Sequence, residues 1–170
     1  DNTVTLGDDS RRFKDLYLSG GVFLGGTGAA NKLDDYEYGD YQVSLTPSGG
    51  GSITVSGSHN DLKYTKIGSR VFVSGKIDTS AASSPSGYIK VTLPFAIHNG
   101  GTANDSRRVN GSIWVANSAL NTYEFQLYGI GGESFVRIYN GSGTGLASTA
   151  ANQFSGDEAL CFDFHYETNP

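Results

Sequence analysis

The chain has 170 residues, 24 of them glycine, with 37% hydrophobic, 12% aromatic and 17% charged positions, which is room for one full-sized domain and a short appendage rather than two ordinary domains. Gly, Ser, Thr and Asn fill about two-fifths of it, a composition of loops and strand edges that excludes a helical bundle or coiled coil, while the aromatic content argues against a disordered polyelectrolyte. The net charge of −5, with eight acids against four bases in residues 1–40, lacks the basic footprint of a nucleic-acid binder, and no apolar run approaches the roughly 18 residues of a membrane span.

Residues 1–40 read as the end of a shaft and a connector. Two near-copies, Leu16-Tyr17-Leu18-Ser19-Gly20-Gly21 and Val22-Phe23-Leu24-Gly25-Gly26, are each an apolar triplet closed by glycines. Elements this short bury little alone. Phe13, Leu16, Leu18, Val22 and Leu24 are therefore expected to be covered by identical segments of other copies, in a short interwoven β shaft. Residues 27–40 read as a polar connector, with the acids Asp34, Asp35, Glu37 and Asp40 solvated rather than holding a cation, since their spacing does not match a calcium loop.

From residue 41 onward alternation of period two dominates. Tyr41, Val43 and Leu45 share a face, as do Ile53 and Val55. Leu62 and Tyr64 open a strand that reaches a hairpin turn at Gly68-Ser69, after which Val71, Val73 and Ile77 face one way. Ile89, Val91 and Leu93 alternate with Tyr88, Lys90 and Thr92 until Pro94 stops the strand. Further strands place Ile113 and Val115 opposite Ser112 and Trp114, Phe125 and Leu127 opposite Gln126 and Tyr128, and Val136 and Ile138 opposite Phe135, Arg137 and Tyr139. The last strand puts Leu160, Phe162, Phe164 and Tyr166 on one face and Cys161, Asp163 and His165 on the other. Helical signals are confined to single turns at 117–121 and 146–153. The pattern predicts an all-β fold: residues 41–170 as an antiparallel β-sandwich of jelly-roll type, because half-buried strands need a second sheet over their apolar faces.

Motifs for chemistry are sparse. There is no G-x-S-x-G elbow, no H-E-x-x-H, and no phosphate loop. The lone Cys161 permits no internal disulfide, so no disulfide framework, metal site or cofactor is expected. Asp157 and Glu158 are adjacent and point to opposite faces of a strand, not the converging pair that a glycosidase needs. Catalytic residues are accordingly not assigned. Aromatic rings on the polar faces of strands suit stacking on sugar rings, flanked by amide and charged hydrogen-bonders. That singles out Tyr88, Trp114 and Tyr128, together with Asn104, Asp105, Arg107 and Arg108 of the glycine-containing loop 98–108, as candidate glycan- or receptor-binding residues. The competing reading, that such rings pack between subunits, is weighed above binding for Trp114 and Tyr128 and more strongly for Phe72.

The segment Leu6-Gly7-Asp8-Asp9-Ser10-Arg11-Arg12-Phe13-Lys14-Asp15-Leu16-Tyr17-Leu18-Ser19-Gly20-Gly21 resembles a repeat of bacteriophage tail fibres and tailspikes. Gly26-Thr27-Gly28-Ala29-Ala30-Asn31-Lys32-Leu33-Asp34-Asp35-Tyr36-Glu37 is similar to their connector, and Tyr64-Thr65-Lys66-Ile67-Gly68, Val71-Phe72-Val73-Ser74-Gly75 and Leu93-Pro94-Phe95 resemble strands of their terminal sandwich. The resemblance implies a homotrimer on a virion tail, with the rest of a fibre on the N-terminal side and a distal knob that adheres to a bacterial surface polysaccharide or outer-membrane receptor without inserting into the membrane. The absence of methionine fits a piece excised from a longer polypeptide. Alternatives to an adhesive knob are a glycan-depolymerising domain and a purely structural trimerisation cap. Removing residues 1–26 is expected to lower the melting temperature and to shift the solution mass from about three times the 18.0 kDa of one chain towards a single chain. Light scattering and thermal melts that show no change would refute the shaft assignment.

Overall fold

The computed structural model describes residues 6–33, 35–100, 109–116, 124–142 and 145–169, and its contacts divide the chain into two units, Asp1–Asp34 and Asp35–Pro170. In the first unit a two-residue strand β1 (Val22–Phe23) pairs antiparallel with β2 (Lys32–Leu33) across a 3-10 turn at Ala29–Asn31. Asn31 closes this hairpin: its backbone carbonyl accepts from the Leu24 N–H at 2.8 Å, and its side-chain amide donates to the Leu24 carbonyl at 3.0 Å. Of the two apolar near-copies only the second contains a strand, and its partner comes from the stretch read as connector. Phe13, Leu16, Leu18 and Leu24 are exposed in the single chain, and Val22 is half-buried.

The second unit is built from β3 (Tyr36–Gln42), β4 (Leu45–Pro47), β5 (Gly50–Val55), β6 (Asp61–Ile67), β7 (Arg70–Ser86), β8 (Ile89–Thr92), β9 (Asn110–Ala116), β10 (Glu124–Tyr128), β11 (Phe135–Ser142), β12 (Gly145–Ala147) and β13 (Ala159–Glu167). One sheet has the order β3-β6-β7-β13-β9, with β5 on the far half of β7; the other has the order β10-β11-β8-β4, with β12 on β11. Every pairing is antiparallel. Neither sheet closes into a barrel, and the described residues contain no α-helix, only the 3-10 turns at Ala29–Asn31 and Ala150–Gln153. The result is a two-layer β-sandwich.

Alternation explains the layers. Leu160, Phe162, Phe164 and Tyr166 of β13 join Leu62, Val71, Val73 and Ile77 on the inner face of the larger sheet, against Leu45, Ile89, Val91, Val136 and Ile138 of the smaller one. Each such side chain contributes about 1.5–3 kcal/mol on burial. Gly75 of β7, exposed between Val73 and Ile77, adopts φ +140°, and a Cβ there would lie 3.0 Å from the Leu62 Cδ2. Tyr166, fully buried, donates its hydroxyl to the Phe95 carbonyl at 2.9 Å and accepts from the Phe95 N–H at 3.3 Å. The chain after β8 is thereby tied to the core.

Two readings of the early segment change. Tyr41, Val43 and Leu45 do share the buried side, but not one strand: the chain leaves β3 at Gln42 and re-enters as β4 in the opposite sheet. Residues 36–40 are not connector but the first half of β3, paired residue by residue with β6 from Tyr36↔Ile67 to Gln42↔Asp61. Of the acids that suggested a solvated linker, Asp34 lies outside the described residues and the other three have partners on β6. Lys66, buried, forms an ion pair with Asp35; Lys63 lies 3.7 Å from Asp40; and the Tyr64 hydroxyl donates to Glu37 at 2.5 Å.

A buried carboxylate locks the middle of β7 to the start of β13. Glu158 accepts from the Ser155 N–H at 2.6 Å, the Gly156 N–H at 3.0 Å and the Thr79 hydroxyl at 2.6 Å, while its own N–H donates to the Thr79 oxygen at 2.8 Å. Burial alone would raise its pKa, but these donors outweigh burial and hold it below the usual carboxylate value. A depressed folded-state pKa stabilises the fold above the unfolded-state pKa, and that contribution is lost as pH falls through the folded-state value. Glu158→Gln is therefore expected to cost about 1–3 kcal/mol at neutral pH, with the gap to the parent closing as the solution is acidified. Urea melts across a pH series measure this; a gap that stays constant with pH would show that the charge of Glu158 is not involved.

Candidate functional site

The smaller sheet turns its apolar residues inward and leaves a different chemistry on its outer face. On β11, inward Val136 and Ile138 alternate with outward Phe135, Arg137 and Tyr139; on β8, inward Ile89 and Val91 alternate with outward Lys90 and Thr92, and Tyr88 precedes the strand. The register sets Tyr128 of β10 opposite Arg137, Arg137 opposite Lys90, and Gln126 opposite Tyr139. Antiparallel neighbours on one face lie within side-chain reach, so three strands distant in sequence assemble one surface.

Its centre is a ring cluster. Tyr88 and Tyr139 stack with centroids 5.3 Å apart and planes at 25°, and Tyr128 meets Tyr139 edge-on at 6.0 Å and 90°. The Arg137 guanidinium lies 5.0 Å from the Tyr88 ring centre and 5.8 Å from that of Phe135, with the Lys90 ammonium 5.1 Å from Phe135. Cation–π contacts of this kind contribute about 0.5–2 kcal/mol each, and aromatic pairs about 0.5–1.5 kcal/mol. Glu133 fixes Arg137 from the other side, accepting from its Nε at 3.2 Å and from a terminal nitrogen. Burial works against the charge of Arg137, but its bonds to Glu133 and Tyr139 and the nearby Tyr88 prevail, so the group is held above the ordinary arginine pKa and stays cationic. The rings are half-buried, and Gln126 and Glu124 stand exposed beside them on β10.

Such a surface has an aromatic platform, one clamped cation and exposed amide and carboxylate groups. It suits binding by stacking and hydrogen bonding. Glu158, weighed above for glycosidase chemistry, is engaged in the fold by Thr79, Ser155 and Gly156, as Glu133 is by Arg137.

Of the residues singled out from sequence, Tyr88 and Tyr128 are brought together, bridged by Tyr139. Trp114 is not with them. It is 62% exposed on the outer face of the larger sheet, opposite Cys161 of β13. Phe72 is exposed on that same face, its ring 5.8 Å from His165. Asn104, Asp105, Arg107 and Arg108 lie outside the described residues. Phe135, Arg137 and Tyr139 were missed as site residues although alternation already set them on one face. The missing signal was the pairing of β8 with β11, more than 40 residues apart in the chain.

No family model matches the chain, and no curated protein matches it. Among solved structures the chain is similar in fold to the Dettilon tailspike protein, with a TM-score of 0.66 at 17% sequence identity, over 78% of this chain and 24% of that one. The likeness is one of fold, and it occupies about a quarter of a much longer tailspike chain.

Proposed function

We propose that the chain is a receptor-binding part of a phage tail fibre or tailspike, which adheres as a homotrimer to a bacterial surface glycan through the outer face of the smaller sheet and does no chemistry on it. The observation that carries this reading is the aromatic–arginine cluster of Tyr88, Tyr128, Tyr139 and Arg137, presented on a fold shared with part of a tailspike. A sugar ring gains from a flat aromatic surface, and a clamped guanidinium supplies directional donors without moving.

The trimer is supported by the first unit. Phe13, Leu16, Leu18 and Leu24 are each more than half exposed, an arrangement that single chains in water do not favour and that association would cover. Three copies on one axis make weak sites sufficient, since after the first contact the others bind at high effective concentration.

Binding of the chain to an array of purified bacterial surface polysaccharides tests the proposal. Tyr139→Ala and Arg137→Ala are each expected to weaken binding about tenfold or more, while Trp114→Ala, on the other sheet, leaves it unchanged. Loss of binding in Trp114→Ala alone would move the site to the larger sheet. Release of new reducing ends from a bound polysaccharide would replace adhesion by depolymerisation.

A further inference from the structure

The edge of the larger sheet carries a second feature that the polar-connector reading of residues 27–40 concealed. Tyr36, Tyr38 and Asp40 follow one another on the same side of β3, and the register sets Thr65 opposite Tyr38 and Lys63 opposite Asp40. Together with Gly39 and Tyr64 these residues line a groove of about 330 Å³. Tyr36 and Tyr38 are 60% and 74% exposed, with ring centroids 6.1 Å apart and planes tilted by 48°.

The strand pair beneath the groove is held by packing on its inner face. Tyr64 is braced edge-on by Phe95 at 5.3 Å and by Tyr41 at 6.3 Å, and its hydroxyl is held by Glu37. Gly39 is what lets it lie there: a Cβ at this position would come within 3.1 Å of the Tyr64 ring. The Tyr64 ring lies on the inner face, opposite Tyr36 and Tyr38, and serves the groove only by anchoring the strand pair that carries it. The two outer tyrosines, by contrast, put adjacent aromatic surface in contact with water, and contiguous exposed patches of this kind mark interaction sites.

We infer that this groove is a binding site for a neutral hexopyranose unit. The volume sits at the lower end of the roughly 300–1,000 Å³ of small-molecule sites, which fits one sugar ring rather than an extended chain. Tyr36 and Tyr38 supply the platform for its apolar face. Asp40 accepts from its hydroxyls, and Lys63 and Thr65 donate to its oxygens. Asp40 and Lys63 lie 3.7 Å apart and are both solvated, so the pair opens at small cost. Their opposite charges cancel, which leaves the groove without the net field that would favour an acidic sugar. The contrast with the arginine-bearing face of the other sheet is chemical, and the inference does not rest on that face being a site.

The test is a titration of the full chain, with ¹³C-labelled tyrosine rings assigned by single Tyr→Phe changes, against the methyl glycosides of glucose, galactose and mannose, and against methyl glucuronide as the acidic comparison. At least one neutral glycoside is expected to shift the Tyr36 and Tyr38 ring signals saturably, with affinity falling about tenfold in Tyr38→Ala and in Asp40→Asn. The second variant conserves shape and guards against a misfolded first. The inference is overturned if no neutral glycoside moves these signals, if Tyr38→Ala and Asp40→Asn bind as the parent does, or if the glucuronide binds as well as the neutral sugars. Failure of the sheet-face reading would instead show in the polysaccharide binding of Tyr139→Ala and leave this titration untouched.

Discussion

Strand β13 lies antiparallel to β7 from Ala159 opposite Asp78 to Glu167 opposite Arg70, and in doing so carries Leu160, Phe162, Phe164 and Tyr166 into the seam between the two sheets. The rest of the second unit depends on this ladder. It supplies the ridge over which the smaller sheet folds, and it sets β9 on its far side. Its start is locked by Glu158 on Thr79, and its end ties down Phe95 through the Tyr166 hydroxyl. The ladder joins residues about 90 positions apart, so loop closure must be offset by burial; four large side chains at 3% exposure or less supply that burial.

A rigid core of this kind leaves both outer sheet faces free to carry chemistry. On the smaller sheet, cross-strand register gathers Tyr88, Tyr128, Tyr139 and Arg137 on the backs of residues whose neighbours are fully buried. Their positions are fixed by Ile89, Val136 and Ile138 beneath them, because inward and outward side chains share one backbone. Sites on strands hold geometry better than sites on loops. At the edge of the larger sheet Tyr64, braced by Phe95 and Tyr41, does the same for Tyr36 and Tyr38. The Tyr166 bond to Phe95 therefore reaches, through one ring contact, the inner side of the strand pair that carries the groove.

Much of the fold was legible because the apolar period states which side of a strand is buried. The face assignments of residues 62–77, 89–93, 134–140 and 160–166 agree with the burial found, and the hairpin at Gly68-Ser69 joins β6 to β7 as expected. Legibility ended where local pattern ceased to carry the information. Tyr41, Val43 and Leu45 have the alternation of one strand, yet the chain changes sheets between them, since period two does not distinguish one strand from two on the same core. Residues 35–40 look like linker because their acids are unpaired in sequence; the partners of Asp35, Glu37 and Asp40, which are Lys66, Tyr64 and Lys63, are supplied by another strand.

By itself, then, the sequence determined an all-β chain, the inward residues of its strands, and the outward placement of Tyr88, Trp114, Tyr128 and Arg137. The reason is that side-chain direction in a strand is a local property, fixed by the alternation of the backbone. Which outward residues meet was decided only by tertiary structure. Tyr88 joins Tyr128 because β11 lies between β8 and β10, while β9 carries Trp114 on the other sheet. Strand pairing is a long-range choice, settled by the packing of whole sheets and by no feature of the paired segments alone.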